Sequence, residues 1–365
     1  MKRWTLNLPL MLMLVAGRAS ESVPRTTVDG FAVPQPDHVF SFPRDHGSHP
    51  EFKLEWWYVT GHLYTDQGRR FGFQETFFRQ AGPDHVTQLH LMHVALVDLA
   101  TGRFLYQERL DRAGWDAAAA VGTLDVRQGN AWLRLTDPTA AAGREQIVMH
   151  GSVRAEADLT LTLTPRTPLV IFGDRGVSRK GAAPTAASYY FTFPRLDATG
   201  VLQLGEERWP VHGEAWMDHE ISSSQLDANQ VGWDWAGIQL KDGREIMLYR
   251  LRTRDGDADP ASALTWVGVD GDLQKQAFAW HVLETWKSPH TGAVYPSRVM
   301  VTTTDPATGR AVHLTIESLA ANQEIAGRLG GIPYWEGACQ VKDATGRVVG
   351  SAYLELTGYA APLKL

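Results

Sequence analysis

The sequence predicts an all-β protein made of two consecutive antiparallel β-barrels that pack side by side. Apolar and polar residues alternate with the strand period of two through most of the 365 residues. Gly-containing turns separate these alternating segments at short intervals. Segments with the helical period are scarce, and the length suits two domains of similar size.

The N-terminal segment, residues 1–22, is typical of a secretory signal peptide. Two basic residues precede the apolar run LPLMLMLVAG, and small residues follow it. The run is too short to span a bilayer comfortably. Arg18 occupies the place of the cysteine in a lipoprotein box. We therefore expect an exported protein, periplasmic or secreted, that is not an integral membrane protein. A retained N-terminal anchor is the alternative.

Hairpin signals mark the strands of the first barrel, which we place at residues 37–200. The first two pairs of alternating segments flank Asp66-Gln67-Gly68 and Ala100-Thr101-Gly102. A further segment folds back at Gln128-Gly129-Asn130, and the strictly alternating stretch DLTLTLTP follows. A polar stretch near Pro194–Gly200 predicts the end of this barrel.

The second barrel is predicted at residues 201–365. Its clearest hairpins turn at Asp242-Gly243 and near Thr345-Gly346. One stretch, Ser318–Leu329, has the helical period and predicts a short helix. The two halves share paired-Trp strands and hairpins of similar length, but no sharp repeat, so we do not infer an internal duplication.

Composition and missing motifs exclude several classes of function. The formal net charge is −6 without a basic block, which argues against nucleic acid as a partner. The single cysteine, Cys339, rules out an intramolecular disulfide and a thiolate metal cluster. The Gly-x-Ser-x-Gly motif of a hydrolase nucleophile is missing from the sequence. The Gly-rich stretch Gly173–Gly181 matches neither a P-loop nor a dinucleotide-binding fingerprint.

The segment GEAWMDHE contains several of the residues that could take part in a reaction. Because alternate residues of a strand share a face, Trp216, Asp218 and Glu220 lie on one face. His219 lies on the opposite face, which is otherwise apolar. The first face either lines a polar cleft or contacts water. His212 shares that face, but no metal-site spacing is present, and we predict no bound metal.

Two other carboxylates fall on apolar strand faces. Asp234 shares a face with aliphatic residues, and Glu75 shares one with phenylalanines. A buried carboxylate is costly unless it is paired or protonated. We expect each to pair at a barrel rim with an arginine such as Arg79 or Arg250. A functional carboxylate is the alternative.

Aromatic residues supply the candidates for ligand binding. The sequence contains 13 Trp, more than its length predicts, and several of them share strand faces. An eight-stranded barrel can just hold one hydrophobic ligand. A structural core is the alternative for most of these rings. The candidate ligand-binding residues are Trp216, Trp233, Trp235, Tyr249 and Tyr189.

Several longer motifs together resemble a known family. They are FSFPRDHGSHPEFKLEWWYVTGHL, GFQETFFR, ASYYFTFPRL, GEAWMDHEISSSQL, GWDWAGIQLKDGREIMLYRLR, YWEGACQV and YLELTGY. The chain resembles the exported AttH-like proteins and the carotenoid 1,2-hydratases (hydroxyneurosporene synthases), which are also described as lipocalin-like or as predicted secreted hydrolases. The resemblance covers about Phe40 to Tyr359. It implies two consecutive lipocalin-like (calycin) barrels.

The resemblance also implies a chemistry. In the hydratase branch, an acid protonates an isolated double bond of an isoprenoid and water captures the cation, without metal or organic cofactor. The acid corresponds to Asp218, and we take Asp218, His219 and Glu220 as the candidate catalytic residues. Trp216 stands where hydratases have Tyr, and Glu220 stands where they have Asn. These departures favour the AttH-like branch, whose members include neighbours of ABC-type exporter components.

Two functions therefore remain open. The first is a cofactor-independent hydratase acting on an isoprenoid or lipid-like alkene. The second is a non-catalytic, lipocalin-like carrier or accessory protein of an ABC-type exporter, in which the same aromatic residues line a cavity for a hydrophobic small molecule. A hydrolase ranks last, because the sequence offers neither a nucleophile motif nor a metal site.

Overall fold

The computed structural model describes residues 23–137, 139, 145–329 and 332–363. These residues form 23 strands and one 3-10 turn at Arg44–His46, which confirms the all-β prediction. The predicted signal peptide at 1–22 lies outside the described residues. Within the described ranges, no helix is long and apolar enough to cross a membrane.

The first sheet has thirteen antiparallel strands and is nearly closed into a barrel. Its strands are β1 (Leu54–Thr65), β2 (Arg70–Ala81), β3 (Gln88–Asp98), β4 (Arg103–Arg112), β5 (Ala117–Ala119), β6 (Asp125–Gln128), β7 (Ala131–Leu135), β8 (Ile147–Val153), β9 (Ala157–Pro165), β10 (Val170–Ile171), β11 (Val177–Arg179), β12 (Ala187–Leu204) and β13 (Glu207–Ser224). They follow the order β4-β3-β2-β1-β13-β12-β9-β8-β7-β6-β5, with β10 and β11 paired to β12. Contacts of β6 and β8 with β2, β3 and β4 bring the two ends of the sheet together.

The second sheet has ten antiparallel strands and curls into a half-barrel. Its strands are β14 (Gln230–Leu240), β15 (Glu245–Thr253), β16 (Ala263–Val267), β17 (Leu273–Gln276), β18 (Phe278–Lys287), β19 (Val294–Thr304), β20 (Ala311–Ser318), β21 (Glu324–Ile325), β22 (Tyr334–Lys342) and β23 (Val348–Thr357). They follow the order β17-β16-β15-β14-β23-β22-β20-β19-β18, with β21 paired to β22.

The boundary between the sheets differs from the predicted one at residues 200/201. Strand β12 continues through that position, and β13 pairs with both β12 and β1. The polar stretch Pro194–Gly200 contains Pro and Gly, but it forms part of a long strand with a register shift between Phe193 and Leu196. GEAWMDHE therefore belongs to the first sheet, and the second sheet begins at Gln230.

The helix predicted at Ser318–Leu329 is wrong. Strand β20 ends at Ser318, and Ile325 pairs with Tyr334 in a short bridge to β22. The Gln323 side chain accepts a hydrogen bond from the Ala338 backbone, 3.0 Å away. These contacts with β22 stabilise the extended segment more than a few helical turns would, because short helices are only marginally stable on their own.

Strand alternation gives each barrel its own core and turns the opposite faces toward each other. In β1, Trp57 and Val59 enter the first core, whereas Tyr58 points outward. In β14, Ile238 enters the second core, whereas Trp235 points outward. The outward residues of both sheets form a third buried cluster between them.

Buried hydrogen bonds also join the two sheets. Arg195 of β12 donates to the Glu245 carboxylate of β15 at 2.7 Å and to the Leu240 carbonyl at 2.9 Å. The Gln239 amide of β14 donates to the Pro194 and Ala215 carbonyls, both at 2.9 Å. Arg195 and Glu245 are almost completely buried, and Arg195 also pairs with the partly exposed Glu214, whereas Glu245 has Arg195 as its cation.

We predict that Arg195→Met destabilises the protein by about 3–5 kcal/mol, because Glu245 is left buried without its cation. Urea unfolding followed by tryptophan fluorescence measures the free energy. The double variant Arg195→Met/Glu245→Gln should recover much of the loss, since no buried charge is left unpaired. Equal stability of wild type and Arg195→Met would contradict the role of this ion pair.

Candidate functional site: a cavity between the two sheets

A cavity of about 300 Å³ lies between the outward faces of the two sheets. Aromatic rings and carboxyl groups line it from both sides; they include Trp56, Tyr58, Tyr190, Trp233, Trp235, Tyr249, Tyr334, Asp218, Glu220, Glu336 and Glu355. The two barrel interiors are instead filled by their own apolar cores. The cavity therefore lies outside the barrels, whereas the sequence analysis placed it inside one.

Asp218 reaches this cavity from the middle of β13. Its register partners are Tyr58 on β1 and Thr192 on β12. Three donors hold its carboxyl group. The Tyr190 hydroxyl donates to Oδ2 at 2.7 Å, the Trp216 indole donates to Oδ1 at 2.7 Å, and the Thr192 hydroxyl also donates to Oδ1. The carboxyl group is thus fixed in one orientation.

Burial dominates the acidity of Asp218. The loss of water around the side chain raises its pKa from 3.8 to about 7, although the Thr192, Tyr190 and Trp216 hydrogen bonds oppose the rise. A carboxyl group with a pKa near neutrality can donate a proton at physiological pH and take it back. Asp218 therefore has the acidity that a general acid requires.

Glu220 serves as the counter-ion of a buried lysine. Lys180 lies 2.7 Å from Glu220 Oε1, which also accepts hydrogen bonds from Ser188 and Gln225. The Lys180 ammonium lies 4.8 Å from the centre of the Tyr190 ring and 4.3 Å from that of Tyr249. Glu220 is on the predicted face beside Asp218, but its charge is committed to this pair.

His219 lies on the opposite face of β13, as strand parity predicts, and so not with Asp218. Its Nε2 is 2.9 Å from Glu55, and its ring stacks near Trp57 in the first barrel. Glu55 also bonds to His49 at 2.8 Å and to Arg79 at 2.9 Å. His219 therefore belongs to a buried ion-pair network and not to the set of residues that share a wall with Asp218.

His49, Glu55 and His219 place possible metal-ligand atoms within 4.8 Å of one another. In this structure these atoms are paired with one another and with Arg79. Although burial lowers it, hydrogen bonds to Asp45 and Glu55 raise the pKa of His49 to about 9, so its ring is protonated near neutrality. The Arg79 guanidinium also neutralises Glu55. We therefore describe these residues as an ion-pair network.

Of the predicted ligand-binding residues, Trp233, Trp235 and Tyr249 line the cavity. Trp216 is buried behind the wall, where its indole holds Asp218. Tyr189 faces away from the cavity, and its hydroxyl accepts a hydrogen bond from the Gln35 backbone at 2.7 Å. Adjacent residues of a strand point to opposite faces, so Tyr190 faces the cavity and Tyr189 does not.

The wall contributed by the second sheet carries two carboxyl groups that the sequence analysis missed. Glu336 of β22 and Glu355 of β23 are register partners. The Trp233 indole donates to Glu355 at 2.9 Å, and burial raises the pKa of Glu355 to about 7. Both occur in the quoted motifs, YWEG and YLEL, where each glutamate is two residues from a tyrosine on the same face.

The chain matches the family model of AttH-like proteins over residues 33–359. It belongs to the AttH-like family. The crystal structure of the AttH NE1406 from Nitrosomonas europaea is 35% identical, with a TM-score of 0.80, and the match covers 90% of this chain and all of that chain (100%). The family and the two consecutive lipocalin-like barrels that the sequence predicts are thereby confirmed.

Two further solved structures resemble this AttH-like protein in fold. Kievitone hydratase from Nectria haematococca has a TM-score of 0.66 at 14% identity, and the match covers 93% of this chain and 97% of that one. CghA, solved with Sch210972, has a TM-score of 0.59 at 12% identity over 92% and 98% of the two chains. No curated protein sequence matches the chain.

The two carboxylates predicted to pair with arginine have different outcomes in this AttH-like protein. Asp234 bonds to Arg250 at 2.9 Å and to Arg252 at 3.0 Å, outside the cavity wall, so its predicted ion pair is confirmed. The prediction for Glu75 is wrong. Both of its carboxyl oxygens are buried in the first core without a hydrogen-bond partner among the described residues. Burial raises the pKa of Glu75 well above its ordinary value, so it is protonated.

We predict that Asp218→Asn changes the pH dependence of stability. The raised pKa means that the native state holds a proton that the unfolded chain loses, so the Asp218 contribution weakens as pH rises from about 4 to about 7. At about 1.4 kcal/mol per pKa unit, the variant should gain up to about 4 kcal/mol relative to wild type across this window. Urea unfolding at each pH measures the difference, and a pH-independent difference would contradict the raised pKa.

Proposed function

We propose that this exported AttH-like protein binds a hydrophobic, isoprenoid- or lipid-like molecule between its two sheets and adds water to a carbon–carbon double bond. The observation that carries the proposal is the position of Asp218. Its carboxyl group lies on the wall of an aromatic-lined cavity and has a pKa of about 7. The cavity residues come from both sheets, so the reaction needs the assembled pair of barrels.

The proposed reaction balances without a cofactor. Asp218 donates its proton to one alkene carbon, and the more substituted carbon becomes a cation. The Trp235 ring offers an electron-rich face near this position, whereas the Tyr190 and Tyr249 rings already contact the Lys180 ammonium. Water then forms the new carbon–oxygen bond and loses a proton. The Asp218 carboxylate left by the first step accepts that proton, which restores the starting acid.

The neighbouring side chains tune this acid. Tyr190 accepts a hydrogen bond from the Trp235 indole at 3.0 Å and donates to Asp218, so its hydroxyl is fixed between the two sheets. Asp234 and Glu220 are the alternative proton acceptors for the last step. Asp234 is outside the cavity, and Glu220 is neutralised by Lys180, which leaves Asp218 itself as the acceptor best placed for the last step.

A second candidate function is a non-catalytic carrier or an accessory protein of an ABC-type exporter. The observation that favours it is the number of donors around Asp218. A carboxylate that accepts three hydrogen bonds is well satisfied as a purely structural group. The same cavity would then hold and release a hydrophobic molecule without changing it.

We predict that wild-type protein incorporates label from ¹⁸O-water into farnesol or geranylgeraniol, and that Asp218→Asn lowers the rate on the order of 10²–10⁴-fold. Mass spectrometry of the extracted products measures the label. Activity should fall as pH rises through about 7, because the acid loses its proton. The exposed Asp255→Asn provides a control of the same chemical change.

Two results would separate the candidate functions. Label incorporation that is unchanged in folded Asp218→Asn would remove this residue from the chemistry. Binding of these isoprenoids without any label incorporation would favour the carrier. Thermal unfolding of each variant establishes that it is folded before its activity is compared with that of the wild type.

A further inference from the structure

The second-sheet wall of the cavity contains an acidic group for which the proposed hydration has no use. Glu336 is only 1% exposed, yet it lines the cavity. Neither of its carboxyl oxygens has a partner at hydrogen-bonding distance among the described residues, although the Tyr58 and Tyr334 hydroxyls lie nearby. Buried polar groups are nearly always satisfied in native proteins, so an unpartnered carboxyl group on a cavity wall indicates a ligand group that pairs with it.

Around Glu336, the atoms left unpartnered within the described part of the chain are its own two carboxyl oxygens and the Tyr58 hydroxyl, which can donate one hydrogen bond. Glu355, its register partner, uses one oxygen to accept the Trp233 indole hydrogen. One phenol hydrogen cannot satisfy both Glu336 oxygens, so a ligand group that donates hydrogen bonds would complete this region.

The protein's own cations near the cavity are committed elsewhere. Lys180 lies 2.7 Å from Glu220, and Arg79 lies 2.9 Å from Glu55. The titratable groups that face Glu336 are Glu355 and Tyr353 on β23, Tyr58 on β1 and Tyr334 on its own strand. These neighbours are carboxyl and phenol groups, and none of them is a cation.

We propose that the cavity takes an apolar chain that ends in a primary ammonium group, with Glu336 and the adjacent Glu355 as its counter-charges. A primary ammonium has three donors and a positive charge, which match the unpartnered acceptors. The Trp233 ring on the same wall and the Tyr58 ring on the facing wall add faces that attract cations. The inference rests on the proposed function only in that an apolar ligand enters this cavity; it does not require hydration.

Binding of such a ligand should release a proton. Burial, and then the neighbouring Glu355 carboxyl, raise the pKa of Glu336 well above its ordinary value, although the Tyr58 and Tyr334 hydroxyls oppose the rise, and this favours the neutral form in the empty cavity. An ammonium group beside it favours the carboxylate. The proton passes to the buffer, and the ligand remains protonated.

The test compares dodecylamine, dodecan-1-ol and dodecanoic acid below their critical micelle concentrations at about pH 8, where the amine is protonated. Quenching of tryptophan fluorescence reports binding, since three Trp line the cavity (Trp56, Trp233 and Trp235). The amine should bind wild type about tenfold or more tightly than the alcohol. Glu336→Gln should remove that preference, whereas the exposed Glu206→Gln should keep it.

Calorimetry of wild type with dodecylamine, in two buffers of different ionisation enthalpy, measures the released proton without any variant. Release of about one proton supports the proposal. Equal binding of amine and alcohol, or an amine preference that survives in Glu336→Gln, overturns it and leaves the apolar ligand site intact. If none of the three ligands binds wild type, both this inference and the apolar ligand site fail.

Discussion

The burial of two sheet faces against each other is the constraint on which the rest of this structure depends. In a strand, one face fills the core of its own barrel, so only the opposite face can meet the other sheet. The contact removes water from polar side chains such as Arg195, Gln239 and Asp218. Each of these groups then needs a partner, and the partner often comes from the other sheet or from an adjacent strand.

The same desolvation produces different chemistry where the supply of donors differs. Asp218 has three donors, and its pKa stays near neutrality despite complete burial. Glu355 has one donor, from Trp233. Glu336 has no donor at hydrogen-bonding distance within the described ranges, and burial raises its pKa well above its ordinary value. The cavity therefore has one wall with a fixed, titratable acid and another with a carboxyl group that lacks a close donor among the described residues.

Strand periodicity predicted which side chains share a face better than it predicted the boundary between the two barrels. The parity of GEAWMDHE separated Asp218 from His219 as the structure does, and Trp233 and Trp235, which share a strand face, both line the cavity between the sheets. Local pattern failed at Pro194–Gly200, where a bulged strand resembles a turn, and at Ser318–Leu329, where contacts with β22 override a helical period. Glu336 and Glu355 were not predicted as site residues, because the cavity that they line has its other wall on the first sheet, whose strands are distant in the sequence.

The most direct test of the account is the location of a bound apolar ligand. A crystal of the protein soaked with a bromine-terminated dodecanol, measured at the bromine absorption edge, would give an anomalous peak at the ligand position. The account predicts that peak between the sheets, among Trp235, Tyr190 and Tyr334. A peak inside the first barrel, beside Phe71 and Phe73, would contradict it, because the ligand would then have no contact with Asp218 or Glu336.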